Sequence, residues 1–185
     1  LMINGSSTYL LQKVFMLDWN FCSDEQLGFN LKYFPEIPVK NAETPIQIIS
    51  SGPDSDAPYI LYAIIKAISL AQKEVLITTP YYIPDETLQQ ALILTALSGI
   101  DVKLLVPQEG DSVIVNLAAQ AYFRDLLKAG VRIYRYQKGF IHAKTFVTDR
   151  KLASIGTANL DLRSFDLNFE VSAMIYDEQK AHELA

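Results

Sequence analysis

Apolar positions along the chain recur with two periods, and the exchange between them sets out the expected elements. Leu10, Leu11, Val14, Phe15 and Leu17 fall at helical spacing, which predicts an amphipathic helix over residues 6–19. Residues 20–44 carry Gly28, Pro35 and Pro38 without a sustained period and read as a linker or loop. A short strand is expected at 46–49, and Ser50-Ser51-Gly52-Pro53-Asp54 then marks a turn. From there helix and strand patterns alternate. Helices are expected at 58–72, 85–98 and 112–129, the last two stopped by Gly99 and Gly130. Strands are expected at 74–79, at 101–106 before Pro107, and at 131–136.

After residue 138 the rhythm changes. Two apolar runs, 144–148 and 152–155, flank Asp149-Arg150-Lys151 and predict a β-hairpin turning at the charged residues. A strand at 169–176 follows a short loop or helical turn, and residues 178–185 begin a helix. The expected fold is α/β, a mixed β-sheet sandwiched between helices, because alternating units give parallel pairs and the hairpin gives antiparallel ones.

The 185 residues suffice for one well-buried domain. Half are hydrophobic and a fifth charged, an ordinary globular balance. Cys22 is alone, so no internal disulfide forms, and it is expected to be a small buried side chain. The longest apolar-rich stretches, 58–71 and 91–97, are broken by Lys66 or fall short of the roughly 20 residues of a membrane span. No signal peptide is expected, since the start lacks a charged segment and an apolar core. The chain opens at Leu1 and is read as a piece of a longer protein. Net charge is −5, unfavourable for a general nucleic-acid binder. Yet residues 121–163 hold nine Lys and Arg against three Asp, a local excess that suits an anionic group.

Within that basic stretch lie His142-Ala143-Lys144, then Asp149, then Gly156-Thr157-Ala158-Asn159. Residues two apart on a strand face the same side, so a strand would present the His142 imidazole and the Lys144 ammonium together. Hairpin pairing would return Asn159 beside them. A neutral imidazole is a competent nucleophile, and its attack on phosphorus gives a phosphohistidine. Lys144 and Asn159 can bind the non-bridging phosphate oxygens, and Thr157 can add a hydroxyl. Glu170 is the candidate carboxylate to accept the other imidazole N–H and fix its tautomer. This chemistry needs no metal and no cofactor. Taken singly, each residue has an ordinary reading: a strand histidine, a surface lysine, a loop asparagine, a solvated Glu170. Asp149 is set among the catalytic residues, with anchoring of the hairpin turn as its other reading. Tyr81 and Tyr82 follow a strand, where loops often line a site, and are candidates to line the pocket. Arg163 and Ser164 are candidates for its border.

The segment from His142 through Asp149, with Gly156-Thr157-Ala158-Asn159, resembles the HKD motif of the phospholipase D superfamily. Thr157 stands where that family usually has Ser. The segments Ser51-Gly52-Pro53-Asp54-Ser55, Thr79-Pro80-Tyr81-Tyr82-Ile83-Pro84-Asp85, Tyr136–Lys144, Asn159–Phe165 and Asn168-Phe169-Glu170 look like bacterial cardiolipin synthases. The resemblance implies a phosphatidyltransferase that joins two phosphatidylglycerols into cardiolipin and glycerol. It makes His142 the catalytic histidine, Lys144 and Asn159 phosphate ligands, and Glu170 the histidine-orienting acid. It also implies that residues 1–40 close a preceding catalytic half and that 41–185 form one phospholipase D-like domain.

Full-length members carry two such motifs whose histidines share one site, and this chain has one. His142 is therefore either the nucleophile or the acid and base partner. The implied partners are an anionic phospholipid, the N-terminal half or a second copy of this chain, and a membrane surface. Nucleic acid is not expected. The full-length protein would sit at the bacterial cytoplasmic membrane, with this piece soluble. Two other readings stay open: a homodimeric phosphodiesterase or nuclease, and a catalytically silent domain that completes a partner half.

Overall fold

The computed structural model describes residues 1–37, 44–110 and 113–185. Pro38, the boundary expected at 40/41 and the expected helix start at 112 lie outside the described residues. Helix α1 spans Ser7–Cys22, ending on a cysteine that is exposed rather than buried as expected, and a single 3-10 turn follows at Leu31–Tyr33. Then come β1 (Ile46–Ser51), α2 (Tyr59–Leu70), β2 (Glu74–Thr78), β3 (Tyr82–Ile83), α3 (Glu86–Leu97) and β4 (Asp101–Pro107). Next are α4 (Val113–Lys128), β5 (Arg132–Tyr136), β6 (Thr145–Thr148) and β7 (Leu152–Gly156). The chain ends with β8 (Leu160–Asp161), α5 (Leu162–Asp166), β9 (Glu170–Ile175) and α6 (Glu178–Leu184).

Local chemistry sets the helix ends. The Asp85 carboxylate accepts the Leu88 N–H at 2.9 Å, Asp161 accepts that of Ser164, and Asp177 that of Lys180, so three helices start on aspartate caps. Gly99 and Gly130 stop α3 and α4 with φ of 87° and 97°, a left-handed backbone that glycine enters without a Cβ clash. The two-residue strands β3 and β8 pair in parallel as a separate small sheet. Neither was expected from the sequence, because two residues carry no readable period.

The other seven strands form one sheet in the order β1-β9-β7-β6-β2-β4-β5. Strands β2, β4 and β5 pair in parallel, and every other neighbour is antiparallel. The sheet is mixed, as expected. Its helical cover is unequal. Ile60, Ile64 and Ile68 of α2, Leu88 and Leu92 of α3, and Phe123 and Leu126 of α4 bury one face with Val75, Ile77, Val102, Leu104 and Phe146. On the other face Ala181 of α6 is buried with Val147, Ala153 and Ile175, and the partly buried Ile46, Leu76, Ile155 and Leu184 pack around them. Each large side chain fully buried in the thick layer contributes about 1.5–3 kcal/mol over exposure.

Strand direction then decides what gathers where. Thr78, the last residue of β2, pairs with Thr145, the first of β6. At the end of β7, Gly156 pairs with Ser172 near the start of β9, and Ser51 at the end of β1 pairs with Glu170. One edge of the sheet therefore collects the segment before β6, the segments after β1, β2, β4, β5 and β7, and the first residue of β9. The opposite edge collects Glu74, Asp101 and Asp149.

Candidate active site

His142 and Lys144 lie just before β6 rather than within it, so strand alternation does not align them. They meet all the same. Lys144 Nζ donates to the His142 carbonyl at 2.9 Å and stands 3.0 Å from its Nε2. An ammonium can only donate, so this contact fits a neutral imidazole whose Nε2 accepts and whose proton sits on Nδ1. Lys144 is half-buried, and that burial lowers its pKa from the ordinary lysine value against the opposing pull of Glu170 and Asp161. The Lys144 carbonyl accepts the Gly156 N–H at 3.2 Å, which locks the segment to the returning strand.

Glu170 has a different partner from the one expected. Its carboxylate accepts the Thr157 hydroxyl on one oxygen and the Asn168 amide, at 3.1 Å, on the other. The Thr157 oxygen in turn accepts the Val171 N–H at 3.0 Å. The hairpin brings Thr157 across from β9, closer to Glu170 than the exposed imidazole. Glu170 thus faces Lys144 as a charge and Thr157 as a hydrogen-bond partner.

Asn159 follows β7. Its N–H donates to Ser164 Oγ at 3.1 Å, and its Oδ1 is buried with no hydrogen-bond partner among the described residues. Such an atom costs about 1–3 kcal/mol unless a donor reaches it, the kind of expense that functional sites carry. Ser164 is buried and holds Asn159 from behind, so it positions the site rather than bordering the pocket. Arg163 is exposed on α5. The Leu160 N–H donates to Thr79 Oγ1 at 3.2 Å, tying this segment to the loop after β2.

On that loop, Tyr81 and Tyr82 part company. The Tyr81 ring lies 6.4 Å from the His142 ring, edge to face. Tyr82 is 1% exposed and its hydroxyl donates to Gln89 at 2.6 Å, which makes it core and corrects its candidacy as a pocket wall. Asp149 is corrected too. It lies beyond the far end of β6, where its carboxylate accepts the N–H groups of Gln72, Lys73 and Glu74 at 2.9, 2.7 and 3.0 Å. Its job is to anchor the hairpin turn to the start of β2.

Two residues at the site escaped the sequence reading. Phe140 lies two before His142, with ring centres 5.6 Å apart, and packs against Tyr81 at 6.2 Å. Asp161, read only as part of a family segment, acts on Lys144 through its charge. The spacing Phe-x-His-x-Lys on one extended segment was the available signal for Phe140.

This geometry can be set beside known proteins. Residues 64–185 match the family model described as "Cardiolipin synthase, PLD-like domain". The chain belongs to that family. Cardiolipin synthase 1 of Bacillus anthracis is 42% identical over 190 residues, taking in 100% of this chain and 37% of the relative. The major cardiolipin synthase ClsA of Bacillus subtilis is 47% identical over 176 residues, 95% of this chain and 36% of the relative. The chain thus spans little more than a third of the curated relatives it matches. Among solved structures, the phospholipase D family member Nuc from Salmonella typhimurium superposes with a TM-score of 0.63 at 21% identity. That likeness covers 77% of this chain and 90% of Nuc. Phosphatidylserine synthase from Haemophilus influenzae gives 0.59 at 21% identity, over 79% of this chain and 38% of its own. Both likenesses concern the fold: the mixed sheet of this cardiolipin synthase family member is that of phospholipase D-like proteins.

Proposed function

We propose that this chain supplies one of two histidine halves of a phosphatidyltransferase of the cardiolipin synthase type. The reading rests on family membership and on one observation above all: Lys144 Nζ held 3.0 Å from His142 Nε2. The pair presents a nucleophilic nitrogen and a cation to the same phosphodiester. As the phosphate of phosphatidylglycerol enters, Lys144 turns from Nε2 to a non-bridging oxygen and frees the imidazole lone pair. The Asn159 amide serves the other non-bridging oxygen, and Thr157 joins it by turning its hydroxyl from Glu170.

In the first step a histidine nitrogen bonds to phosphorus, the bond to the glycerol oxygen breaks, and the second histidine protonates the departing glycerol. In the second, a hydroxyl of another phosphatidylglycerol gives its proton back to that histidine and attacks phosphorus, and the phosphorus–nitrogen bond breaks. His142 takes one of these two roles. Residues 1–40 then close the preceding half, and 41–185 form the phospholipase D-like domain. The acceptor reaches the site from a membrane surface. Among the described residues no helix is long and apolar enough to cross the bilayer.

The test uses phosphatidylglycerol in mixed micelles, with this chain alone and together with the N-terminal half of a family member. Cardiolipin and free glycerol are expected only from the pair, at least a thousandfold above His142→Ala. No cardiolipin from the complete pair would overturn the proposal. Cleavage of simple phosphodiesters by this chain alone would point to a hydrolase instead.

A further inference from the structure

A second feature at the same edge of the sheet lies outside the roles assigned above. A cleft of about 570 Å³ opens past the ends of β4 and β5. Gln108, Glu109 and Gly110 line it from just past β4, Tyr136 and Gln137 from the end of β5, and Gly139 and Phe140 close it toward the site. Its volume falls in the range of small-molecule sites, and carboxyl ends of adjacent parallel strands are where open α/β sheets take ligands. The rim is built, since the Gln108 N–H donates to the Tyr136 carbonyl at 2.9 Å and ties the two strand ends. Gly139, at φ 109°, makes the left-handed turn that brings Phe140 round to the cleft. The wall it shares with the active site is Phe140, whose other side packs on His142.

We propose that this cleft is the subsite for the acceptor alcohol, and that it recognises the hydroxyls of a glycerol group. The chemistry of the lining selects the class. Gln108 and Gln137 offer paired donors and acceptors, Glu109 offers two acceptors, and among the described residues no lysine or arginine lines the cleft. A phosphate there would meet the Glu109 carboxylate with no cation among the described lining residues to offset it. An uncharged polyol satisfies the amides and the carboxylate together, while Tyr136 and Phe140 cover its carbon face. Phe140 also stands where it restricts water on one side of the imidazole, which favours transfer to a bound hydroxyl over hydrolysis. This rests on the phosphatidyltransfer reading but can fail separately from it.

The test is a titration of the isotope-labelled chain followed by NMR, with glycerol, hexanol and inorganic phosphate in separate arms. Glycerol is expected to shift the side-chain amide signals of Gln108 and Gln137 saturably. In Glu109→Gln and Gln137→Ala, both on the exposed rim, its affinity should fall at least tenfold while the remaining spectrum stays dispersed. Phosphate is expected to move His142 and Asn159 and to leave the cleft unchanged. Glycerol without effect on the cleft, or hexanol acting in its place, overturns the subsite. Phosphate shifting the cleft amides as strongly as glycerol does so too. Failure of phosphate to move His142 counts against the catalytic reading alone, and the glycerol arm then decides the subsite by itself.

Discussion

At the scale of single residues, the motif divides into chemistry and anchorage. Lys144 is held partly out of water beside His142, where burial lowers its proton affinity, and the charges of Glu170 and Asp161 limit that loss. Asp149 belongs to the same motif but works at the other end of β6. Burial raises its pKa, yet the backbone donors Glu74, Gln72 and Lys73, with Lys151 nearby, together hold it below the ordinary value. A carboxyl depressed in the folded state stabilises above its unfolded pKa of about 3.9, and that gain is lost as pH falls through the lower folded value. Asp149→Asn keeps the residue type tolerant of the left-handed φ of 52° but loses the charge. It should lower stability by about 1–3 kcal/mol at neutral pH, with wild type and variant converging in acid. Urea unfolding from pH 7 to pH 2.5 measures this, and a difference that stays constant into acid would count against the anchor.

At the scale of elements, the hairpin β6–β7 carries the site, and its fit against β9 is tight. A Cβ on Gly156 would lie 2.7 Å from the Val171 carbonyl and closer still to the Ser172 hydroxyl. Backbone cannot yield there as a flexible side chain can. Gly156→Ala should therefore cost about 1–3 kcal/mol, as overpacking does. It should also separate Thr157 from Glu170, because β7 and β9 would part at the residues that bring them together. The expected readouts are a lower melting midpoint and a loss of activity larger than the stability loss explains. Full activity at a normal midpoint would show that the close approach is dispensable. Sequence pattern set out the strands and helices themselves to within a few residues. It missed β3 and β8, which exist only because the loop after β2 meets the segment after β7.

At the scale of the whole molecule, the thick helical layer and the thin one make an uneven sandwich. Helix α1 adds to the imbalance. It packs on β1, yet of its apolar residues only Met16 is buried, while Phe15, Leu17, Trp19 and Phe21 stay exposed. Phe21 reaches the Phe169 ring at 5.1 Å, next to Glu170. An exposed apolar helix of this kind promotes association. The chain should self-associate at micromolar concentrations, and Phe15→Ser with Leu17→Ser should shift it toward monomer without loss of helix content. Sedimentation velocity with circular dichroism checks both, and an unchanged distribution would show that α1 drives no association.

The sequence by itself determined the period of each element, the helix stops at Gly99 and Gly130, and the residue types gathered between His142 and Asn159. Those are local properties, set by spacing and by what each side chain can do. Tertiary structure alone decided who meets whom. It put β9 between β1 and β7, and so gave Glu170 to Thr157 rather than to the imidazole. It sent Asp149 to the far edge of the sheet, buried Tyr82, and set Tyr81, from the loop after β2, against His142. Each of these depends on strand order and register, which join segments far apart in the chain. A period of two or of 3.6 carries no information about such pairing.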